Sequence, residues 1–82
     1  MISIHRGENK SGQRFQFTLR SSRVTGGYLA IVERCEEGVY RHRMAAKILD
    51  SEAAGRTWLN NQWSALGLRE VPKFHPETGK LL

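Results

Sequence analysis

A chain of 82 residues and 9.4 kDa has room for a single hydrophobic core, so its size excludes a two-domain enzyme. Only 39% of its residues are hydrophobic, 26% are charged and the mean hydropathy is −0.52, which excludes an apolar run long enough to cross a bilayer as a helix. Lys and Arg number 13 against 8 Asp and Glu, and the resulting +5 charge points to a polyanionic or acidic partner.

Met1 to Arg6 contain no apolar stretch of signal-peptide length. Ile2 and Ile4 instead alternate with Ser3 and His5 as a short first strand, and Gly7 to Gly12 read as a loop. Gln13 to Arg20 alternate strictly, which predicts a half-buried strand with Phe15, Phe17 and Leu19 inward and Arg14, Gln16, Thr18 and Arg20 outward. After a loop ending in Gly26-Gly27, Tyr28 to Cys35 are rich in aliphatic and β-branched residues and form a third strand.

Glu36-Glu37-Gly38 suits a three-residue hairpin loop, from which a fourth strand runs to about Ile48. That loop places Cys35 opposite Val39, Glu33 opposite Arg41, Val32 opposite His42, Ile31 opposite Arg43, Ala30 opposite Met44 and Tyr28 opposite Ala46. One face of the hairpin is then core material: Tyr28, Ala30, Val32, Tyr40, Met44, Ala46 and Ile48. Its other face is mostly basic, with Glu33, Arg41, Arg43 and Lys47 among Leu29 and Ile31.

Asp50-Ser51-Glu52 supplies a helix cap and a favourable first-turn carboxylate, and Gly67 with apolar Leu68 forms a helix stop. Between them Ala54, Trp58, Leu59, Trp63, Ala65 and Leu66 occupy the half of the helix that packs on the sheet. Trp58 and Trp63 lie about 140° apart and cannot share one contact, so Trp58 is assigned to the core and Trp63 to the edge of the apolar half. The remaining tail carries Pro72 and Pro76, with a turn composition at Pro76-Glu77-Thr78-Gly79. The expected fold is α+β: a small antiparallel sheet of three to four strands with one helix across one face, in the order ββββα. A domain over 1–67 is followed by an extended tail or small hairpin over 68–82.

Neither catalytic nor metal-binding spacing emerges. His5, His42 and His75 are scattered, and Cys35 and His42 fall on opposite faces of the hairpin, which leaves Cys35 as a small apolar filler. Glu36-Glu37 reads as solvated charge at a loop tip, because a sheet with one helix offers no evident cleft for paired carboxylates. Gly26-Gly27 precedes a strand, not a helix, and is no phosphate cradle. The expectation is a protein that is not an enzyme, with no metal, cofactor, membrane or small-molecule substrate. A single cysteine, Cys35, permits no intramolecular disulfide and suits a reducing cytoplasm.

The cations carry more information. Nine are arginines and four lysines, and guanidinium forks hydrogen-bond phosphates and guanine edges bidentately. Strand alternation gathers Arg14, Gln16, Arg20, Arg41, Arg43 and Lys47 on the face away from the helix, a plate of donors suited to a DNA major groove. The same residues also satisfy the bare requirement that a half-exposed sheet be polar outside, and Glu33, Glu36 and Glu37 reduce the potential locally.

The segment Arg14 to Leu66, with Ile48-Leu49-Asp50-Ser51-Glu52-Ala53-Ala54 as strand end, cap and alanine-rich helix start, resembles the DNA-binding domains of plant ethylene-response factors and the amino-terminal domains of tyrosine recombinases. That resemblance implies DNA binding through the sheet. Size, with Leu49-Asp50-Ser51 leading into a helix that bears Trp58, is also similar to small phage-encoded anti-CRISPR inhibitors. This second likeness implies a phage or mobile-element protein that blocks a host nucleoprotein complex by contacting an acidic protein surface.

Overall fold

A computed structural model describes residues 3–24 and 26–70; the expected turn at Pro76 to Gly79 lies outside them. The elements are β1 (Ser3–Glu8), β2 (Arg14–Ser21), β3 (Tyr28–Glu36), β4 (Val39–Leu49), α1 (Glu52–Leu66) and β5 (Arg69–Glu70). They build one antiparallel sheet in the order β4-β3-β2-β1-β5, with α1 packed on one side. The ββββα order and α+β class are as the sequence implies, and a short fifth strand is added where an extended tail was expected.

Why β2 is central follows from its alternation. Phe15, Phe17 and Leu19 are almost fully buried, at 3%, 2% and 0% exposure, and join Ala30, Val32 and Leu59 in one core. α1 lies over them because its packing face is apolar where it meets the sheet: Leu59 is buried, and Trp58, Trp63 and Leu66 pack around the core. Gly55 is buried on the same face, and a Cβ there would sit 2.6 Å from Leu19 Cδ1, so any larger residue would have to displace the buried Leu19 side chain. Ala65, assigned to the packing half, is exposed, because it lies about 100° around the helix from the Gly55, Leu59 and Leu66 line.

Both helix ends are formed as their residues dictate. Ser51 Oγ accepts from the Ala54 N–H at 3.1 Å. At the other end Gly67 adopts φ 64°, and the Gly67 and Leu68 N–H groups donate to the carbonyls of Ser64 and Trp63.

β1 extends through Gly7 to Glu8, past the expected loop start, because Gly7 pairs with Phe15 and Glu8 with Arg14. The break comes at Asn9, whose side-chain oxygen accepts from the Ser11 and Gln13 N–H groups at 3.0 and 2.9 Å.

The β3–β4 hairpin departs furthest from expectation. Glu36 pairs with Val39, leaving a two-residue loop in which Glu37 and Gly38 both have positive φ, 53° and 79°, the signature of a type I′ turn. Two register shifts follow, adding Arg41 and Met44 to β4 as bulge residues. Glu33 therefore faces Arg43 rather than Arg41, Val32 faces Ala45 rather than His42, Ala30 faces Lys47 rather than Met44, and Tyr28 faces Leu49 rather than Ala46. Tyr40, Ala46 and Ile48 consequently leave the core face, and Lys47 moves onto the helix side.

Among the described residues no helix is long and apolar enough to cross a membrane.

Leu19→Ala should cost about 2–5 kcal/mol of stability by denaturant unfolding, since the cavity opens beneath α1 where nothing can collapse freely. Glu37→Asn should raise stability by about 0.5–1 kcal/mol, because asparagine tolerates the left-handed conformation that glutamate is held in here. An unchanged or lowered melting temperature would contradict the turn assignment.

Candidate functional site

The strand pairings lay the helix-free face out in transverse rows. One row runs Arg6, Gln16, Glu33, Arg43 from β1 to β4; the next runs Ile4, Thr18, Ile31, Ala46; a third runs Arg20, Leu29, Ile48 from β2 to β4. Of the six residues the sequence nominated, Arg14, Gln16, Arg20 and Arg43 share this face. Arg41 is the extra residue of a bulge, between the Arg34–His42 and Cys35–Tyr40 pairs. Lys47 belongs to the opposite face, beside Ala30, and leaves the proposed plate. The expectation placed it outside because it took a three-residue loop; the two-residue turn reverses the side chains of β4, and the two bulges beyond it cancel one another by the time Lys47 is reached.

Arg6 joins the face without having been nominated. Its Nε donates to Gln16 Oε1 at 2.9 Å, and its guanidinium carbon lies 4.7 Å from the Tyr40 ring centroid. Extending the Ile2, Ile4 alternation by one more step would have placed it there, and only the assumed loop at Gly7 hid it. Arg14 is partly compensated, its Nε standing 4.0 Å from Glu8 Oε2.

This face is also more apolar than a basic plate. Ile31 and Thr18 are buried at its centre, while Ile4 and Ile48 are exposed at 40% and 54%. Cys35 is half-buried on the same side, paired with Tyr40, away from His42.

A concave site, unexpected from sequence, lies on the helix side: a groove of about 420 Å³ lined by Ser3, His5, Phe17, Arg56, Leu59, Asn60, Trp63 and Glu70. It exists because β1 turns polar Ser3 and His5, and then side-chain-free Gly7, toward the helix. Trp63 fills the space over Gly7, where a Cβ would lie 2.6 Å from the ring, and meets Phe17 edge-to-face at 5.2 Å. His5 Nδ1 is 3.6 Å from Glu70 Oε1. Among the described residues no hydrogen bond joins Ser3 to His5, so these groups form no activated nucleophile, and no cluster of metal-ligating side chains occurs.

At the hairpin end Glu36 is a strand residue in an ion cluster rather than loose charge at a loop tip. Arg34 Nη2 donates to Glu36 Oε1 at 2.6 Å, and His42 Nδ1 stands 3.8 Å from the same oxygen. The Arg34 hydrogen bond, aided by the charges of His42, Arg34 and Arg41, outweighs desolvation and holds the Glu36 carboxyl below the ordinary glutamate range.

No protein-family model, curated protein or solved structure matches the chain.

Because the folded-state pKa of Glu36 is depressed, its contribution to stability is present above the unfolded-state value and fades as pH falls through the folded value. A carbon-detected carboxylate titration should find Glu36 titrating below the ordinary glutamate range. Arg34→Gln should move Glu36 back up toward the ordinary range, and no movement would show that Arg34 is not the cause.

Proposed function

We propose that the chain is a non-catalytic module that binds duplex DNA through the helix-free face of its sheet. The observation that carries this reading is the co-facial placement of Arg6, Arg14, Gln16, Arg20 and Arg43 by strand pairing, against only Glu8 and Glu33. Adjacent strands about 4.8 Å apart let two or three of them match a major groove about 12 Å wide. Arginine and glutamine are the side chains that reach guanine and adenine edges, and the exposed apolar residues suit thymine methyl groups. The sheet-and-helix likeness to ethylene-response-factor and recombinase amino-terminal domains supports the reading at the level of architecture. A reducing cytoplasmic setting accords with the lone Cys35.

A second reading, contact with a host nucleoprotein complex as in anti-CRISPR inhibitors, is favoured by one feature: exposed Ile4 and Ile48 on the same face.

Fluorescence anisotropy with a short labelled duplex tests the first reading. Affinity should fall by about a hundredfold between roughly 50 and 200 mM salt if four phosphate or base contacts displace counterions. The double substitution Arg20→Gln, Arg43→Gln should weaken binding far more than Arg56→Gln, since Arg56 is on α1 and paired with Glu52 at 3.2 Å. Binding that is absent at low salt, or indifferent to salt, would eliminate DNA. Capture of a protein partner that Ile48→Asp abolishes would then support the second reading.

A further inference from the structure

Within the DNA interface just proposed, and resting on it, we infer that Arg6 is the residue that reads guanine. Its surroundings differ from those of the other anchored arginines. Arg14, Arg34 and Arg56 each lie beside a carboxylate, on Glu8, Glu36 and Glu52 respectively. Arg6 is held by neutral groups: the Gln16 side-chain oxygen at 2.9 Å on Nε, and the Tyr40 ring at 4.7 Å. Among the described residues no carboxylate lies within ion-pair distance of it.

These two contacts do different things. The hydrogen bond consumes the Nε–H, and the ring provides a shelf for the cationic plane. Neither cancels the charge, and both terminal nitrogens keep their N–H groups free as a parallel fork. A fork held in advance loses less side-chain entropy on binding than a freely rotating arginine. Its partner must offer two adjacent acceptors, which in duplex DNA means guanine O6 and N7 or two oxygens of one phosphate.

Position decides between those two. Arg6 is rooted on β1, while Tyr40 belongs to β4, at the far edge of the sheet. The guanidinium therefore reaches across the strands between them and lies toward the middle of the face. Base edges occupy the middle of a groove and phosphates its rims, so the central fork falls to guanine, and Arg43 on the edge strand and Arg20 at the end of β2 fall to the backbone.

Selection from a duplex pool with a randomised core, followed by sequencing, tests the assignment with wild-type, Arg6→Lys and Tyr40→Leu proteins. Lysine keeps the charge but has no fork, and leucine removes the shelf; thermal melts establish that both variants fold, and Arg6→Lys alone decides if Tyr40→Leu does not. The wild-type protein should enrich guanine at one position. Both variants should lose at least about tenfold of that enrichment while the salt dependence of their binding to the unselected pool stays as in wild type. Undiminished guanine enrichment by Arg6→Lys would overturn the inference. So would a wild-type protein that binds the pool in a salt-dependent way with no guanine preference, or an Arg6→Gln variant that lowers the salt slope by about one with preference intact, the mark of a phosphate contact. In these three cases the DNA interface itself stands. A wild-type protein that fails to bind the pool at low salt removes the interface and the assignment together.

Discussion

Burial of Phe15, Phe17 and Leu19 beneath α1 is the constraint from which the other placements follow. β2 is paired on both sides, so orienting its alternate side chains orients those of β1 and β3 as well, and through β3 those of β4. A strand fully buried on one side has no freedom to slip by one residue, since that would expose the three core side chains and bury Arg14, Gln16 and Arg20 in their place. The position of the arginines on the opposite face is thus a by-product of apolar burial. It requires no interaction among the arginines themselves.

How far each element could be read from sequence depends on how local its determinants are. β2 is legible because alternation alone specifies it, and α1 because Ser51 and Gly67 mark its ends within a residue or two of where the chain turns. The face of β4 is not legible, because it depends on two bulges that no composition signal marks, and on a tight turn where glutamate takes a conformation normally left to glycine or asparagine. The turn, one residue shorter than expected, is what misplaced Lys47 and Tyr40. Arg6 and the helix-side groove share another cause. Both follow from β1 continuing through Gly7, and a glycine in a strand is indistinguishable from a glycine in a loop until a partner such as Trp63 is seen above it.

The helix side and the open side divide the apolar content unevenly but not completely. α1 covers Phe17 and Leu19, while Ile31 on the open side is buried by its neighbours in the sheet. Ile4 and Ile48 remain half exposed there, on opposite edges of the face. Arginines together with exposed apolar residues have two compatible uses, since both serve nucleic-acid and protein interfaces. Shape alone does not separate them; salt dependence does, because counterion release is peculiar to the polyelectrolyte.

Pairing also refines the meaning of the net charge of +5. Carboxylates stand beside Arg14, Arg34 and Arg56, and those partners lie at the edge, the hairpin end and the helix. Among the described residues, Arg6, Arg20, Arg43 and Arg69, on β5 beside Glu8, are arginines of the open face with no such ion pair, and the pairing rows keep all of them on the same side of the sheet. Charge that is cancelled within a few ångströms contributes little to the field a partner feels, whereas unpaired charges on one low-dielectric sheet add. A modest excess, spread over the surface, would steer nothing. Several unpaired charges held on one face raise the positive potential there.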